Sequence, residues 1–393
     1  MNTSIEVEYW VVDSDGELTD AGPLADVSAR TEQGCVEPLF QLQTPACESV
    51  SELRTSFVED LEDVLSKTTK LDKHLVPFGT PVNGDVSDRH PGERCRIRKE
   101  VLGTDFDCTK YCAGTHVRIE KRHVTDQLNT LIALGPALAL VNSSPYVRGE
   151  RVANGARAFC YRTRSDEVGP KHGQRWRYVD DVDEWYRRLE RSYEEFETAA
   201  VDVGIDATAV EDHFSTTDVT WTSVRLRDST PAIEWRSPDT ALPSQILRLV
   251  RELETVIERV PRTTVWIDNS GASGPRDHSR GSPGGPVGRN RITRDVDDPA
   301  AVLGRVTDDM IALPTFDVVQ DLTESAICDG LGSAAVANYL ERMGFSVDDF
   351  HPIATQIDGR QFVTRADARD LRLEYASRLE EDVARLARSS SSR

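Results

Sequence analysis

Four short stretches of this chain set charged residues into what otherwise reads as apolar strand. In Thr3–Asp20, "TSIEVEYWVVDSDGELTD", Ile5, Val7, Tyr9 and Val11 alternate with Glu6, Glu8, Trp10 and Val12. A strand sends alternate residues to opposite faces, so both carboxylates share a face, roughly 6–7 Å apart along the strand. Like charges that close disfavour each other unless a cation or water stands between them. "CVEPLFQLQT" (Cys35–Thr44) offers Glu37 and Gln41 in the same alternating manner. "GTHVRIEK" (Gly114–Lys121) sets His116, Arg118 and Glu120 against Val117 and Ile119. The arm Ala232–Ser237 sets Glu234 and Arg236 against Ile233 and Trp235.

If these four strands share a sheet, one face gathers Glu6, Glu8, Glu37 and Glu234 with an imidazole and two guanidiniums. A solvated acidic face is the plain alternative, but solubility alone requires neither His nor Arg among the acids. Carboxylates and waters are what Mg²⁺ takes, with phosphates completing its octahedron. Arginines beside such a site fork phosphate or carboxylate. The chemistry favoured is phosphoryl transfer, where positioning and charge neutralisation do most of the catalysis. There is no GxxxxGK[ST] loop and no Gly-rich dinucleotide fingerprint after a strand, so a nucleotide site would be of another type. A GxSxG elbow and an HExxH pair are also missing, which weakens serine and zinc hydrolase readings.

The elements that must position these residues are legible in outline. Asp13–Gly16 carries an Asp-Gly hairpin signal, with a return through Glu17–Asp20. Ser49 and Glu52 form a capping box before a helix striped by Leu53, Phe57, Leu61 and Leu65. Further helices are expected at about Thr125–Val141, at Asp180 to about Val203, and at Pro243–Val260, whose apolar face suits a core or a dimer equally. Thr222–Asp239 reads as a hairpin turning at Asp228–Pro231. Asp268–Arg291, with six Gly and four Arg, reads either as a solvated loop or as a mobile cover whose N–H groups and arginines meet phosphates. The expected whole is a single α+β domain, 1–388, on a largely antiparallel curved sheet. It divides into a core (1–260), the Gly/Arg-rich loop (261–297) and a helical C-terminal part (298–388), before a frayed tail (389–393).

Composition narrows the class. The chain has 393 residues, 67 Asp+Glu against 47 Lys+Arg, and a net charge of −20; only seven of the basic residues are Lys. Such a surface suits a salt-rich cytoplasm and argues against nucleic-acid or anionic-membrane binding. Seven Cys without a CxxC pair are expected to be reduced thiols. Cys108 and Cys112 ("CTKYC") could form half a metal site, but idle buried thiols fit better without a second Cys/His pair. Met1 runs almost directly into the first strand, and "LNTLIALGPALALV" is too short to span a bilayer, so a cytoplasmic protein is expected.

Taken together, "IEVEYWVVD", "EPLFQLQTPAC", "GTHVRI", "NSSPYVRG" followed by "CYR", and "IEWRSPD" resemble glutamate–cysteine ligase family 2, in their order and over roughly the first 240 residues. The family consists of carboxylate–amine ligases on a glutamine-synthetase-like fold, and the acidic composition makes the resemblance one of haloarchaeal type. It implies a funnel-shaped antiparallel sheet holding two or more Mg²⁺ ions against ATP phosphates. Glu6, Glu8, Glu37, His116 and Glu234 match positions used around the metals. Arg236 matches the arginine of the Glu-x-Arg motif, implied with Glu234 to be catalytic and to touch phosphate. Arg162 matches a substrate or phosphate arginine, and Arg118 is a further phosphate candidate. The implied reaction phosphorylates the glutamate γ-carboxylate with ATP; the cysteine amine then attacks the acyl phosphate, giving γ-glutamylcysteine.

The chain departs from the family where it has Gln41 in place of a frequent Glu and Arg118 in place of a second His. Arg118 would pair with a phosphate or with Glu120. Four extra residues precede "CYR" and make Arg157 a rival to Arg162. Alternatives are a ligase with another amine acceptor, a phosphotransferase on the same fold, and an inactive paralogue that binds nucleotide or a partner. Small-molecule substrates are expected as partners, with a homo-oligomer possible.

Overall fold

A computed structural model describes residues 1–86, 92–162, 176–219, 221–226, 231–267, 304–357 and 359–390. The Gly/Arg-rich stretch Asp268–Arg291, most of the turn Asp228–Pro231 and the end of the tail lie outside the described residues.

The frame is an open seven-stranded sheet. β1 (Thr3–Asp13) is its longest strand, followed by β2 (Thr31–Gln33), β3 (Leu39–Gln43), β4 (Lys73–Val76) and β5 (Thr115–Glu120). A small separate hairpin, β6 (Tyr146–Val147) and β7 (Glu150–Arg151), precedes β8 (Val224–Leu226) and β9 (Ala232–Trp235). The sheet order is β2-β3-β1-β5-β9-β8, with β4 also on β1 and every pairing antiparallel. Glu6 pairs with both Gln43 and His116, and Trp10 with both Leu39 and Val76. One edge of β1 is therefore lined by β3 alone, while the other is divided between β5 and β4. The division falls at Glu8.

The expected alternation places the odd-numbered side of β1 in the core. Ile5, Val7, Tyr9 and Val11 pack with Phe40, Leu42, Val117, Ile119, Val224, Ile233 and Trp235 beneath the helices Val50–Lys70, Val124–Ala133 and Pro243–Ile257. Leu53, Phe57 and Leu61 of the first of these helices are fully buried, each worth about 1.5–3 kcal/mol. Half of its cap is as read: Ser49 Oγ accepts from Glu52 N–H, whereas the Glu52 carboxylate accepts from the N–H of Glu48, one residue before the N-cap. On Pro243–Ile257 the apolar face is taken up by this same core. The even-numbered side of β1 changes character along its length. Glu6 and Glu8 give way to Trp10 and Val12, which join Val76, Phe78, Tyr111 and Tyr375 in a second cluster.

Two expectations of continuous helix are corrected. Thr125–Val141 is a helix, Val124–Ala133, and a 3₁₀ segment, Gly135–Val141, bent by 55° at Gly135-Pro136, where Pro cannot donate to the preceding turn. The C-terminal part opens with strand rather than helix: β11 (Arg305–Val306) and β12 (Met310–Leu313) pair together, and β12 runs parallel to β10 (Thr264–Ile267). Helices Phe316–Cys328, Ala334–Arg342 and Arg365–Ser390 follow. Among the described residues no single helix is long and apolar enough to cross a membrane.

Candidate functional site

Most of the expected residues meet on the even-numbered face of the sheet. β5 lies between β1 and β9, and the register sets Glu6 opposite His116 and Arg118 opposite Glu234. His116 Nδ1 is 2.8 Å from Glu6 Oε1. Arg118 reaches both neighbouring strands: Nη2 donates to Glu6 Oε2, and Nε donates to Glu234 Oε2 at 2.8 Å. Arg236 continues the chain, its Nε 3.4 Å from Glu234 Oε1. Val117 and Ile119, locked in the core on either side, leave Arg118 no other face to occupy. Its expected alternative partner, Glu120, pairs with Arg122 instead.

This chain of ions is largely out of water, with Glu234 1 %, Arg118 6 % and His116 7 % exposed. Burial alone would raise the Glu6 carboxyl, but the hydrogen bond and charge of His116 and the charge of Arg118 outweigh it and hold Glu6 well below the usual carboxylate range. Burial likewise opposes the charge on Arg118, and Glu6 and Glu234 together more than offset it, so its pKa moves up.

Glu8 stands at the fork between β5 and β4 with neutral partners. Gln41, its register partner on β3, donates Nε2 to Oε1 at 2.8 Å. Gly114 N–H donates to Oε2 at 2.7 Å, while the Gly114 carbonyl accepts from Glu8 N–H. A Cβ at Gly114 would lie 2.3 Å from Arg157 Nη2, so a larger residue there would displace the Arg157 guanidinium.

Behind this fork lies a buried network of which the sequence pointed to Arg157 and Arg162 but not to Asp239. Arg157, 2 % exposed, donates to the carbonyls of Arg236 and Ser237, and Arg162 Nη2 donates to Ser237 Oγ at 2.9 Å with its guanidinium over the Trp221 ring. Both rival arginines thus converge on the segment leaving β9. Asp239 accepts from the N–H and hydroxyl of Ser143, and a Cβ on Gly79 would sit 2.5 Å from its carboxylate. Burial pushes Asp239 up to about 6, partly countered by the Arg157 charge. Its signals were present in "NSS" and "SPD", but only folding brings the two together.

Glu37 is not brought to this face. The expected strand Cys35–Thr44 begins only at Leu39, because Pro38 cannot donate to a ladder, and Glu37 sits in the preceding turn with an exposed side chain. Its backbone carbonyl anchors Ala21 and Gln33. Cys108 and Cys112 are buried with Cys160 in a small apolar cluster. An open concavity of about 530 Å³, lined by Leu331, Phe350, His351 and Pro352 among others, bears no carboxylate or guanidinium.

The expected Mg²⁺ ions, two or more, would have to be held by these donors. Both oxygens of Glu6 face His116 and Arg118, both of Glu234 face guanidiniums, and His116 has committed Nδ1 to Glu6. A divalent ion among them would stand beside Arg118, where each pair of like unit charges at about 4 Å costs about 4 kcal/mol at an effective dielectric near 20. Among the described residues no group of three or more His, Cys, Asp or Glu is arranged to hold a metal. The set Glu6, Glu8, Glu37, His116 and Glu234 does not fit two or more divalent ions: Glu37 is off the face, and of the carboxylates on it only Glu8 has neutral hydrogen-bond partners.

No family model matches the chain. A Rhodococcus jostii (strain RHA1) protein, provisionally named glutamate–cysteine ligase 2-1, is 25% identical over 252 residues, covering 62% of this chain and 63% of that protein. The chain therefore aligns with less than two thirds of this relative's length. A bifunctional glutathione synthetase from Pasteurella multocida superposes with a TM-score of 0.54 at 12% identity, over 96% of this chain and 52% of that one. A glutamate–cysteine ligase from Francisella tularensis, solved in complex with AMP, gives a TM-score of 0.48 at 12% identity, over 100% and 98% of the two chains. The chain thus shares its fold with the Pasteurella multocida structure.

Proposed function

We propose that this chain is an ATP-dependent glutamate–cysteine ligase of the family 2 type, forming γ-glutamylcysteine through γ-glutamyl phosphate. The observation that carries the reading is the sheet face on which Glu8, Arg118, Glu234 and Arg236 stand together, with Arg157 and Arg162 fixing the segment that bears Arg236. The ordered sequence motifs, the Rhodococcus relative and the shared fold support it.

In the first step a γ-carboxylate oxygen of glutamate attacks the terminal phosphorus of ATP and ADP leaves. The charge on the transferring group is met by the Arg236 guanidinium, which Glu234 and the buried arginines hold in place. In the second step the cysteine amine attacks the acyl carbon, the C–O bond to phosphate breaks, and the amine proton leaves with solvent or phosphate. Alignment of two bound substrates supplies much of the rate. The Arg236 guanidinium carries the charge-neutralising role alone, because Glu6 and Glu234 are committed to His116, Arg118 and Arg236.

A second reading, a paralogue that binds nucleotide without turnover, is favoured by two features: Gln41 supplies an amide to Glu8 where the family often has a carboxylate, and Arg118 stands where it often has a second His. Phosphate release in molar KCl with ATP, Mg²⁺ and glutamate, with and without a panel of amines, separates the two. Release stimulated by cysteine, and lost in a folded Glu234→Ala variant, supports the ligase. Nucleotide binding without release supports the paralogue, and an active Glu234→Ala enzyme removes the proposed site.

A further inference from the structure

We infer that Arg118 is the built-in cation of this face, replacing a divalent ion between Glu6 and Glu234, so that the protein holds no divalent ion at that position. The inference concerns the same face as the proposed ligase site, but it rests on the ion geometry and not on turnover.

Position comes first. Arg118 projects from the strand between the two that carry the acids, and one guanidinium bridges them, Nη2 to Glu6 Oε2 and Nε to Glu234 Oε2. Bridging two carboxylates from neighbouring strands is what a bound divalent ion would do. Charge comes second: Glu6 and Glu234 are matched by Arg118 and by Arg236, so two further positive charges would be in excess. Solvation comes third. Mg²⁺ dehydrates reluctantly and keeps several waters, whereas Arg118 and Glu234 are almost wholly excluded from solvent. A guanidinium is weakly hydrated and suited to a buried carboxylate fork.

The alternation of β5 makes the arrangement specific. A His at 118 would stand on the same face, flanked by the same core residues, but would offer a ring nitrogen to a metal in place of a fixed charge. The chain's most visible departure from its family resemblance thereby acquires a physical consequence: the site is assembled without a metal at its centre.

The test is Mn²⁺ binding, read by electron paramagnetic resonance on the full chain without nucleotide. Mn²⁺ stands in for Mg²⁺ because free and bound ions are distinguishable. Wild type and Arg118→Lys, which keeps the charge, are expected to bind no Mn²⁺ at this face. Arg118→His, with folding checked by circular dichroism, is expected to gain a site at least tenfold tighter than any in wild type, and adding Glu6→Gln should abolish it. A wild-type site that Glu6→Gln or Glu234→Gln weakens would overturn the inference, as would a folded Arg118→His protein that gains none. Should the His variant not fold, the wild-type titration against Glu6→Gln decides alone: no site to lose supports the inference, and a lost site refutes it. Because nucleotide and substrates are left out, failure here leaves the ligase reading standing, and absence of ligase activity leaves the metal result intact.

Discussion

The polar face of the sheet has two halves that solve the same problem differently. On the β5–β9 side, Glu6 and Glu234 are held by Arg118, His116 and Arg236 in a buried chain of charges. On the β3 side, Glu8 is held by an amide and a backbone N–H at the fork where β5 gives way to β4. The first half is closed electrostatically, with Glu234, Arg118 and His116 almost excluded from water. The second keeps a net negative charge and partial access to water. A buried ion network costs desolvation whether or not it is perfect, so its members depend on one another. A partly exposed carboxylate with neutral donors has no fixed counter-charge to lose.

The largest expected effect comes from breaking the closed half. Arg118→Met removes the one group that bridges Glu6 and Glu234 and leaves two buried carboxylates short of a counter-charge. Breaking a buried pair by removing one partner costs about 3–5 kcal/mol, and the lower end is expected here because His116 stays beside Glu6 and Arg236 beside Glu234. Equilibrium unfolding in denaturant should show a loss of that order, against less than about 1 kcal/mol for Glu8→Gln, which keeps shape and an acceptor. Equal losses in the two variants would erase the contrast between the halves.

How far this contrast could be read from sequence depends on whether the partners are local. Alternation on β1, "THVRIE" and "AIEW" fixed which residues share a face, because period two is a property of each strand alone. That Glu8 meets Gln41, or that Arg118 lies between two acids, depends on register and on β5 sitting between β1 and β9, which no single stretch encodes. Glu37 failed for a local reason that was visible: Pro38 delays the strand, so counting by twos across it does not hold. Arg157 and Asp239 were harder. Each is buried by segments distant in sequence, and a buried charge looks like a surface charge until its neighbours are known.

The second prediction uses acidity to tell the halves apart. Glu6 titrates below its ordinary value in the folded protein, so its contribution to stability is present above about pH 4.5 and lost as pH falls toward its folded pKa. Asp239, behind the fork, has the opposite sign. Its folded pKa near 6 lies above the ordinary 3.8, so the folded state gains a proton first, and this group favours folding increasingly as pH falls from about 6 to about 4. The difference corresponds to at most about 3 kcal/mol at neutral pH. Asp239→Asn should therefore flatten the stability curve between pH 4 and 6 and leave the acid limb governed by Glu6 unchanged. The gain at pH 7 is expected to fall short of that ceiling, because Arg157 loses its counter-charge. An unaltered curve would remove Asp239 from the account.

The smallest effect sharpens the open half. Gln41→Glu replaces the amide facing Glu8 with a second carboxylate at a directly opposed pair, where like charges destabilise by roughly 0.2–1 kcal/mol. Because both side chains retain contact with water, the cost stays small, and it is of a kind a cation can reverse. Thermal unfolding in millimolar Mn²⁺ should raise the melting temperature of this variant by a degree or two while leaving wild type unmoved, since only the variant presents two unmatched carboxylates together. The same substitution on the closed side has no equivalent, because there a fixed guanidinium already occupies the place between the acids. A variant that ignores Mn²⁺ would mean that geometry, and not the missing charge, keeps metal from Glu8; a wild-type protein that responds equally would mean that Glu8 needs no second acid.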